Sequence, residues 1–157
     1  MALKITQQEI EAIQKIWGDR LVQVGKEYTA KKDFTSEARK LINDLYGYNE
    51  GKVLFKPTRA AEEQFRLTEE SAVSYFVGRN DNFPEDQGFA LAPWQKVNFQ
   101  NSGFILEENY AIAMGNYIFT TMDNEEVKVE YTFGYFRSRD GILKINLHHS
   151  SIPFKTN

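Results

Sequence analysis

The amino-acid sequence predicts an α+β fold, a curved antiparallel β-sheet wrapped around a long N-terminal helix. Three observations point to it. Apolar residues at helical spacing are confined to the first half of the chain, and from Trp94 onward the pattern changes to strands separated by tight turns. Tyr110 to the C-terminus then reads as three strands with apolar and aromatic residues on both faces. Helices first and an antiparallel meander after is an α+β pattern, and the double-sided apolarity implies that the helices cover one face while a second copy of the chain covers the other.

The first helix opens at Thr6, which forms a capping-box signature with Glu9, and Ile10, Ile13, Ile16, Trp17, Leu21, Val24 and Tyr28 follow at helical spacing. Gly18 and Gly25 interrupt it a heptad apart, which leaves two readings open: a close backbone approach to the sheet, or an imperfect helix. A second helix is expected from about Ser36, capped by Thr35, with Ala38, Leu41, Ile42 and Leu45 inward and Gly47 as its end. Lys52 to Pro57 is a short strand closed by proline. A third helix starts after Thr68, with Glu69 and Glu70 in its first turn and Gly78 as the stop. Asn80 to Gly88 is a loop, long enough to act as a lid beside a pocket. Four strands complete the chain: Trp94 to Leu106 with an irregularity at Asn101-Ser102-Gly103, Tyr110 to Thr121, Val127 to Arg137, and Leu143 to Ser151.

A chain of 157 residues suits a single domain spanning residues 1–157, able to bury roughly 70% of its unfolded surface. The aromatic share of 14% is high and implies large buried or interfacial surfaces. A net charge of −3 without a basic run argues against nucleic acid and anionic membrane as partners. With no secretory segment and no stretch of membrane-spanning length, the expected location is the cytoplasm. Zero cysteines remove disulfides, thiolate nucleophiles and Cys-ligated zinc sites, and no metal or cofactor is expected.

Period-two patterning assigns each strand residue to a face. Tyr131, Phe133 and Tyr135 share one face of their strand, Tyr117 and Phe119 share one face of the preceding strand, and the last strand sets Ile145, Leu147 and His149 against Asn146 and His148. With the helices filling the concave side, Tyr117, Phe119, Tyr131, Phe133 and Tyr135 are expected on the convex side, as the interface of a homo-oligomer.

The run Tyr135 to Pro153, with its aromatic-basic start, Arg139-Asp140-Gly141 turn, strand, and His148-His149-Ser150-Ser151 ending, resembles the association (hub) domain of calcium/calmodulin-dependent protein kinase II. That family lies within the superfamily of nuclear-transport-factor-two-like, SnoaL-like and ketosteroid-isomerase-like cones, which share a cystatin-like α+β arrangement. Val53 to Thr58, Ala113 to Tyr117 and Glu130 to Tyr135 are similar to free-standing relatives of the hub, and the likeness runs from about Ile5 to Phe154. It implies dimers formed through sheets and admits rings of such dimers. The kinase hub lines its pocket with arginines, whereas the matching positions here are Asn116, Gly134 and His149. A pocket of Asn116, Glu130, Thr132, His149 and Ser151 is still polar enough to hold a small molecule.

Adjacent strand residues point to opposite faces, so His148 and His149 cannot share one centre and at most one of them meets a pocket. A cavity His149 with Glu130 nearby would make an acid/base pair for proton transfer beside a carbonyl, the chemistry that ketosteroid-isomerase-like cones host. Ser150 and Ser151 lack the strand-turn-helix elbow of a serine nucleophile. The sequence therefore reads as a non-catalytic oligomerisation domain of the kinase-hub type with a small-molecule pocket. The alternative is a ketosteroid-isomerase or SnoaL-like enzyme, or a small-ligand-binding protein, that uses His149 and Glu130.

Overall fold

The computed structural model describes residues 3–157. Helix α1 (Gln7–Thr29) begins at the Thr6–Glu9 capping box, each partner bonding the other's backbone N–H. Helix α2 (Phe34–Leu45) is capped by Asp33, whose carboxylate accepts from the Ser36 N–H, two residues earlier than the cap expected at Thr35. Strand β1 (Leu54–Lys56) ends at Pro57. Helix α3 (Glu69–Val77) is capped by Thr68 and stopped by Gly78 in a positive-φ conformation. A short 3₁₀ turn (Phe89–Leu91) leads into β2 (Trp94–Leu106), β3 (Tyr110–Thr121), β4 (Glu126–Arg137) and β5 (Leu143–Ser151).

The five strands form one curved, unclosed sheet in the order β1-β5-β4-β3-β2, antiparallel except for β1, which runs parallel to β5. Helix α1 lies across one face. Its Gly25 allows a close approach, since a β-carbon there would come within 2.8 Å of the Ala90 carbonyl, so the glycine serves packing. The register shift at Asn101 and Gly103 turns Asn101 toward α1, where it exchanges hydrogen bonds with buried Gln14 at 2.8 and 2.9 Å.

The aromatic stripe expected on the outside is the core. Tyr117, Phe119, Tyr131, Phe133 and Tyr135 are at most 2% exposed and pack around α1, with Trp17 stacked on Tyr117 at 5.6 Å and edge-on to Phe119 and Phe133. Alternation separates two faces without saying which one the helices cover. The greasier face takes the cover because burying large rings releases the most apolar surface from water. The five aromatics are therefore not an interface.

The loops before and after α3 are tied together by ion pairing. Buried Arg66 binds Asp86 with two hydrogen bonds of 2.7 Å, donates to the Glu63 and Ser71 carbonyls, and lies under the Phe83 ring. Asp86 also accepts from the Ser74 hydroxyl at 2.6 Å. Next to it, the Glu85 carboxylate accepts from the backbone N–H groups of Ala61, Glu62 and Glu63, which hold its pKa below the ordinary carboxylate value. Among the described residues no helix is long and apolar enough to cross a membrane.

Candidate functional site

Strand β5 carries two adjacent histidines, and a bulge decides which one meets the core. One extra residue, Asn146, falls between the pairs Tyr135–Ile145 and Gly134–Leu147, so alternation changes phase there. Leu143 and Ile145 point toward the helices before the bulge; after it His148 and Ser150 do, while Leu147, His149 and Ser151 turn to the open face. Strict alternation had put His149 with Ile145.

Cross-strand neighbours close on His148. Phe55 of β1 stacks on its ring at 4.5 Å and 12°, Phe133 of β4 lies at 4.2 Å, and Trp17 of α1 meets it edge-on at 5.8 Å. Burial in this aromatic cage pushes the imidazole pKa well below its ordinary 6.5, with nearby His149 adding to the effect, so His148 is neutral at physiological pH.

The imidazole sits in the middle of a hydrogen-bonded relay whose direction follows from its ends. The Trp17 indole can only donate, and it donates to the Tyr46 hydroxyl at 3.0 Å. The single Tyr46 proton then goes to His148 Nδ1 at 2.8 Å, which leaves the ring proton on Nε2 to be donated to the Tyr117 hydroxyl at 3.0 Å. Tyr117 donates in turn to Ser150 Oγ at 2.5 Å, and Ser150 to Thr58 Oγ1 at 2.6 Å. In the opposite sense, with Nδ1–H donating, the buried Tyr46 proton would have no acceptor among the described residues, so the outward sense is the resting one. Burial raises the Tyr46 and Tyr117 phenols, which keeps both protonated.

Thr58 and Ser150 open onto a small cavity of about 10 Å³, the space of roughly one water-sized molecule. Trp17, Phe55, Pro57, Phe76 and Phe89 form its apolar wall, and Thr58, Tyr75, Tyr117, His148 and Ser150 its polar end. Tyr75 accepts from the Arg59 N–H at 3.2 Å, and burial pushes its phenol up to about 12. Lys56 fixes the last turn of the site by donating to the Ser150 carbonyl at 3.0 Å. The arrangement can hold a molecule about the size of one water between an apolar wall and a row of hydroxyls and exchange a proton with it. Among the described residues no three His, Cys, Asp or Glu side chains converge to hold a metal ion.

The residues expected to line the pocket are together, but on the wrong side of the sheet for this cavity. Asn116, Glu130, Thr132, His149 and Ser151 are cross-strand neighbours on the open face, where Ser151 donates to Glu130 at 2.9 Å and Asn116 to the Val129 carbonyl at 3.2 Å. His149 is exposed and does not form an acid/base pair with Glu130 in a cavity. The bulge at Asn146 turns His149 outward, and Asn116, Glu130 and Thr132 lie outward because the helices cover the aromatic face of β3 and β4. Sequence reasoning missed Tyr46, Thr58 and Tyr75: Tyr46 reaches β5 through its own parallel bridge to Ile145, Thr58 follows the pairing of β1 with β5, and Tyr75 comes from α3, none of which leaves a local pattern. The adjacent histidines were the one signal available, and the choice between them needed the bulge.

Comparison with known proteins gives a consistent result. The model of a family described as metal-independent carbonic anhydrase matches residues 8–152. The chain is 42% identical over 154 residues to the metal-independent carbonic anhydrase of Nostoc sp. strain PCC 7120, covering 96% of this chain and 75% of that protein. It resembles the crystal structure of a cyanobacterial iota-carbonic anhydrase complexed with bicarbonate, with a TM-score of 0.93 and 41% identity over 97% of this chain and 94% of that one. A candidate calcium/calmodulin-dependent protein kinase II association domain from Xanthomonas campestris matches with a TM-score of 0.63 and 24% identity, over 97% and 91% of the two chains. The likeness to association domains is thus one of fold. The expected non-catalytic hub function is overturned, because the family model and the relatives above 40% identity are carbonic anhydrases, and the enzymatic alternative fits better.

Proposed function

Because this chain belongs to the metal-independent carbonic anhydrase family, we propose that it interconverts carbon dioxide and bicarbonate at the cavity between Trp17 and Ser150, which has room for about one water at rest and widens to admit carbon dioxide. The observation that carries the reading is the relay from buried His148 through Tyr117 and Ser150 to Thr58 at the cavity wall. The apolar wall suits neutral carbon dioxide, and the hydroxyl row suits the anion.

Hydration starts from the inward sense of the relay, the less favoured tautomer, in which Nδ1 carries the ring proton and Thr58, Ser150 and Tyr117 each donate toward His148 Nε2. A water oxygen forms a bond to the carbon of carbon dioxide, one C=O electron pair moves onto oxygen, and the water gives a proton to Thr58. Each hydroxyl passes one proton on, and Nε2 receives the last. That single transfer reverses every member of the chain, so Thr58 now donates to the new bicarbonate as an oxyanion donor would. Once bicarbonate leaves, the imidazolium, disfavoured by its burial, gives up its Nε2 proton: Tyr117, Ser150 and Thr58 each pass one proton outward, a solvent water in the vacated cavity takes the last, and the inward sense is restored for the next turnover. Dehydration is the reverse, with the imidazolium supplying the proton that turns the bicarbonate hydroxyl into water.

Oxygen-18 exchange between labelled carbon dioxide and water tests this. The expected result is turnover that persists with a strong chelator present, falls about a hundredfold in Ser150→Ala and Thr58→Val, and stays within about twofold in His149→Ala. Wild-type protein without exchange activity, or Ser150→Ala with full activity, sinks the reading.

We also propose that copies of the chain associate through the open face. Leu54, Leu147, Ile112 and Ile105 stand in one cross-strand row there, with Gly134 between Leu147 and Ile112, and Met114 projects beside it. Leu54, Ile105 and Met114 are each more than half exposed, a continuous apolar surface that a second sheet would cover.

A further inference from the structure

Next to the reaction cavity, on the far side of the Tyr75 and Phe89 rings, lies a second cavity of about 480 Å³. The two rings stack at 5.5 Å and 18° and line both spaces, so they form the partition between them. Two guanidinium groups, those of Arg59 and Arg79, line this second cavity. Arg59 lies 5.4 Å from the Phe89 ring and 6.0 Å from the Trp94 ring, and Arg79 lies 5.6 Å from Tyr28 and 5.2 Å from Phe34. Among the described residues neither arginine has a carboxylate within ion-pair distance. The carboxylates that share this lining, Glu85 and Asp86, are already engaged by backbone N–H groups, Ser74 and Arg66.

Backbone geometry holds both arginines in place. Arg79 adopts φ 60, a left-handed conformation that is uncommon for a long side chain and persists only where the surroundings fix it. Arg59 follows Thr58, the last member of the relay, and its own N–H bonds the Tyr75 hydroxyl on the partition. A cation is thus coupled through one residue to the reaction cavity and through one hydrogen bond to its wall. The cation–π contacts hold the guanidinium planes over rings and leave their N–H edges free to bind an anion.

We propose that this second cavity is an anion vestibule, in which Arg59 and Arg79 bind a small planar monoanion, bicarbonate in turnover, on its way between solvent and the reaction cavity. The role in turnover rests on the activity proposed above. The physical need is an asymmetry between the two carbon species. Carbon dioxide is neutral and crosses an apolar wall without loss of hydration, whereas bicarbonate must shed water to enter an aromatic-lined space. Unpaired guanidinium groups outside the partition offset that cost and raise the local anion concentration.

The test is equilibrium binding of carbon-13 bicarbonate and of nitrate, a planar anion of the same charge, to the full chain by NMR line broadening and titration. The variants are Arg59→Gln, Arg79→Gln, their combination, Arg59→Lys, and Arg139→Gln as a control of equal charge change on the remote turn. Both anions are expected to bind the wild type; the double variant weakens each about tenfold, Arg59→Lys stays within about threefold, and Arg139→Gln is unchanged. In turnover the double variant raises KM for bicarbonate, and kcat/KM falls by the same factor in both directions because the overall equilibrium is fixed. A double variant with wild-type melting temperature that binds both anions like wild type overturns the vestibule and leaves the proposed activity standing. Arginine-dependent nitrate binding without carbon dioxide turnover keeps the anion site and sinks only the reading of the reaction cavity.

Discussion

His148 has a measurable cost to the fold. The folded chain holds its imidazole neutral, while in the unfolded chain it titrates at its ordinary 6.5. As pH falls below that value the unfolded state takes up a proton that the folded state refuses, so this contribution to stability is fully present above 6.5 and is lost at up to about 1.4 kcal/mol per pH unit below it. Thermal melts between pH 7.5 and pH 5.5 are expected to show that loss, at about that slope. His148→Gln removes the dependence and His149→Gln keeps it. The carboxylates lowered by hydrogen bonding, Glu9 and Glu85, lose their contribution only below their ordinary 4.5 and leave this window clear. The same residue marks a limit of sequence reading. That one of two adjacent histidines faces inward follows from strand geometry, but its identity depends on Asn146, whose polar side chain carries no bulge signature.

At the scale of elements, the site is assembled from pieces far apart in sequence. Thr58 follows β1, Tyr75 belongs to α3, Trp17 to α1, and His148 and Ser150 to β5. The Arg66–Asp86 pair sets the spacing between the loops that carry Thr58 and flank α3. Removing Arg66 leaves a buried carboxylate without its partner, and Arg66→Ala is expected to lower unfolding free energy by about 3–5 kcal/mol in urea titration. A loss below about 1 kcal/mol would show that the pair is not what joins the loops. The elements themselves were legible: capping box, Gly78 stop, the bulge at Asn101 and the strand boundaries lie in local patterns. The parallel pairing of β1 with β5 joins residues as distant in sequence as Leu54 and Leu147, and no local pattern announces it.

For the molecule as a whole, the two faces of the sheet divide the work. The inner face carries the aromatic core and the relay, and the outer face carries the apolar row with Met114 and the polar patch around His149. Period-two reading separated these two sets but exchanged their destinations, because it supplies the contrast between faces and not the position of the helices. If copies associate through the outer face, Met114→Glu is expected to weaken association about tenfold or more by light scattering across concentrations, while oxygen exchange per chain persists. Wild-type protein that remains a monomer at the highest concentration removes the interface.

The extra residue at Asn146 lets one strand answer to two masters. Upstream of it, Leu143 and Ile145 keep time with the hydrophobic interior; downstream, His148 and Ser150 keep time with the reacting hydroxyls. Residue count between these stretches is therefore the fragile quantity. Side chains on either side can drift so long as the tally holds, whereas a lone insertion would trade one histidine for its neighbour and silence the centre without touching any of its chemistry.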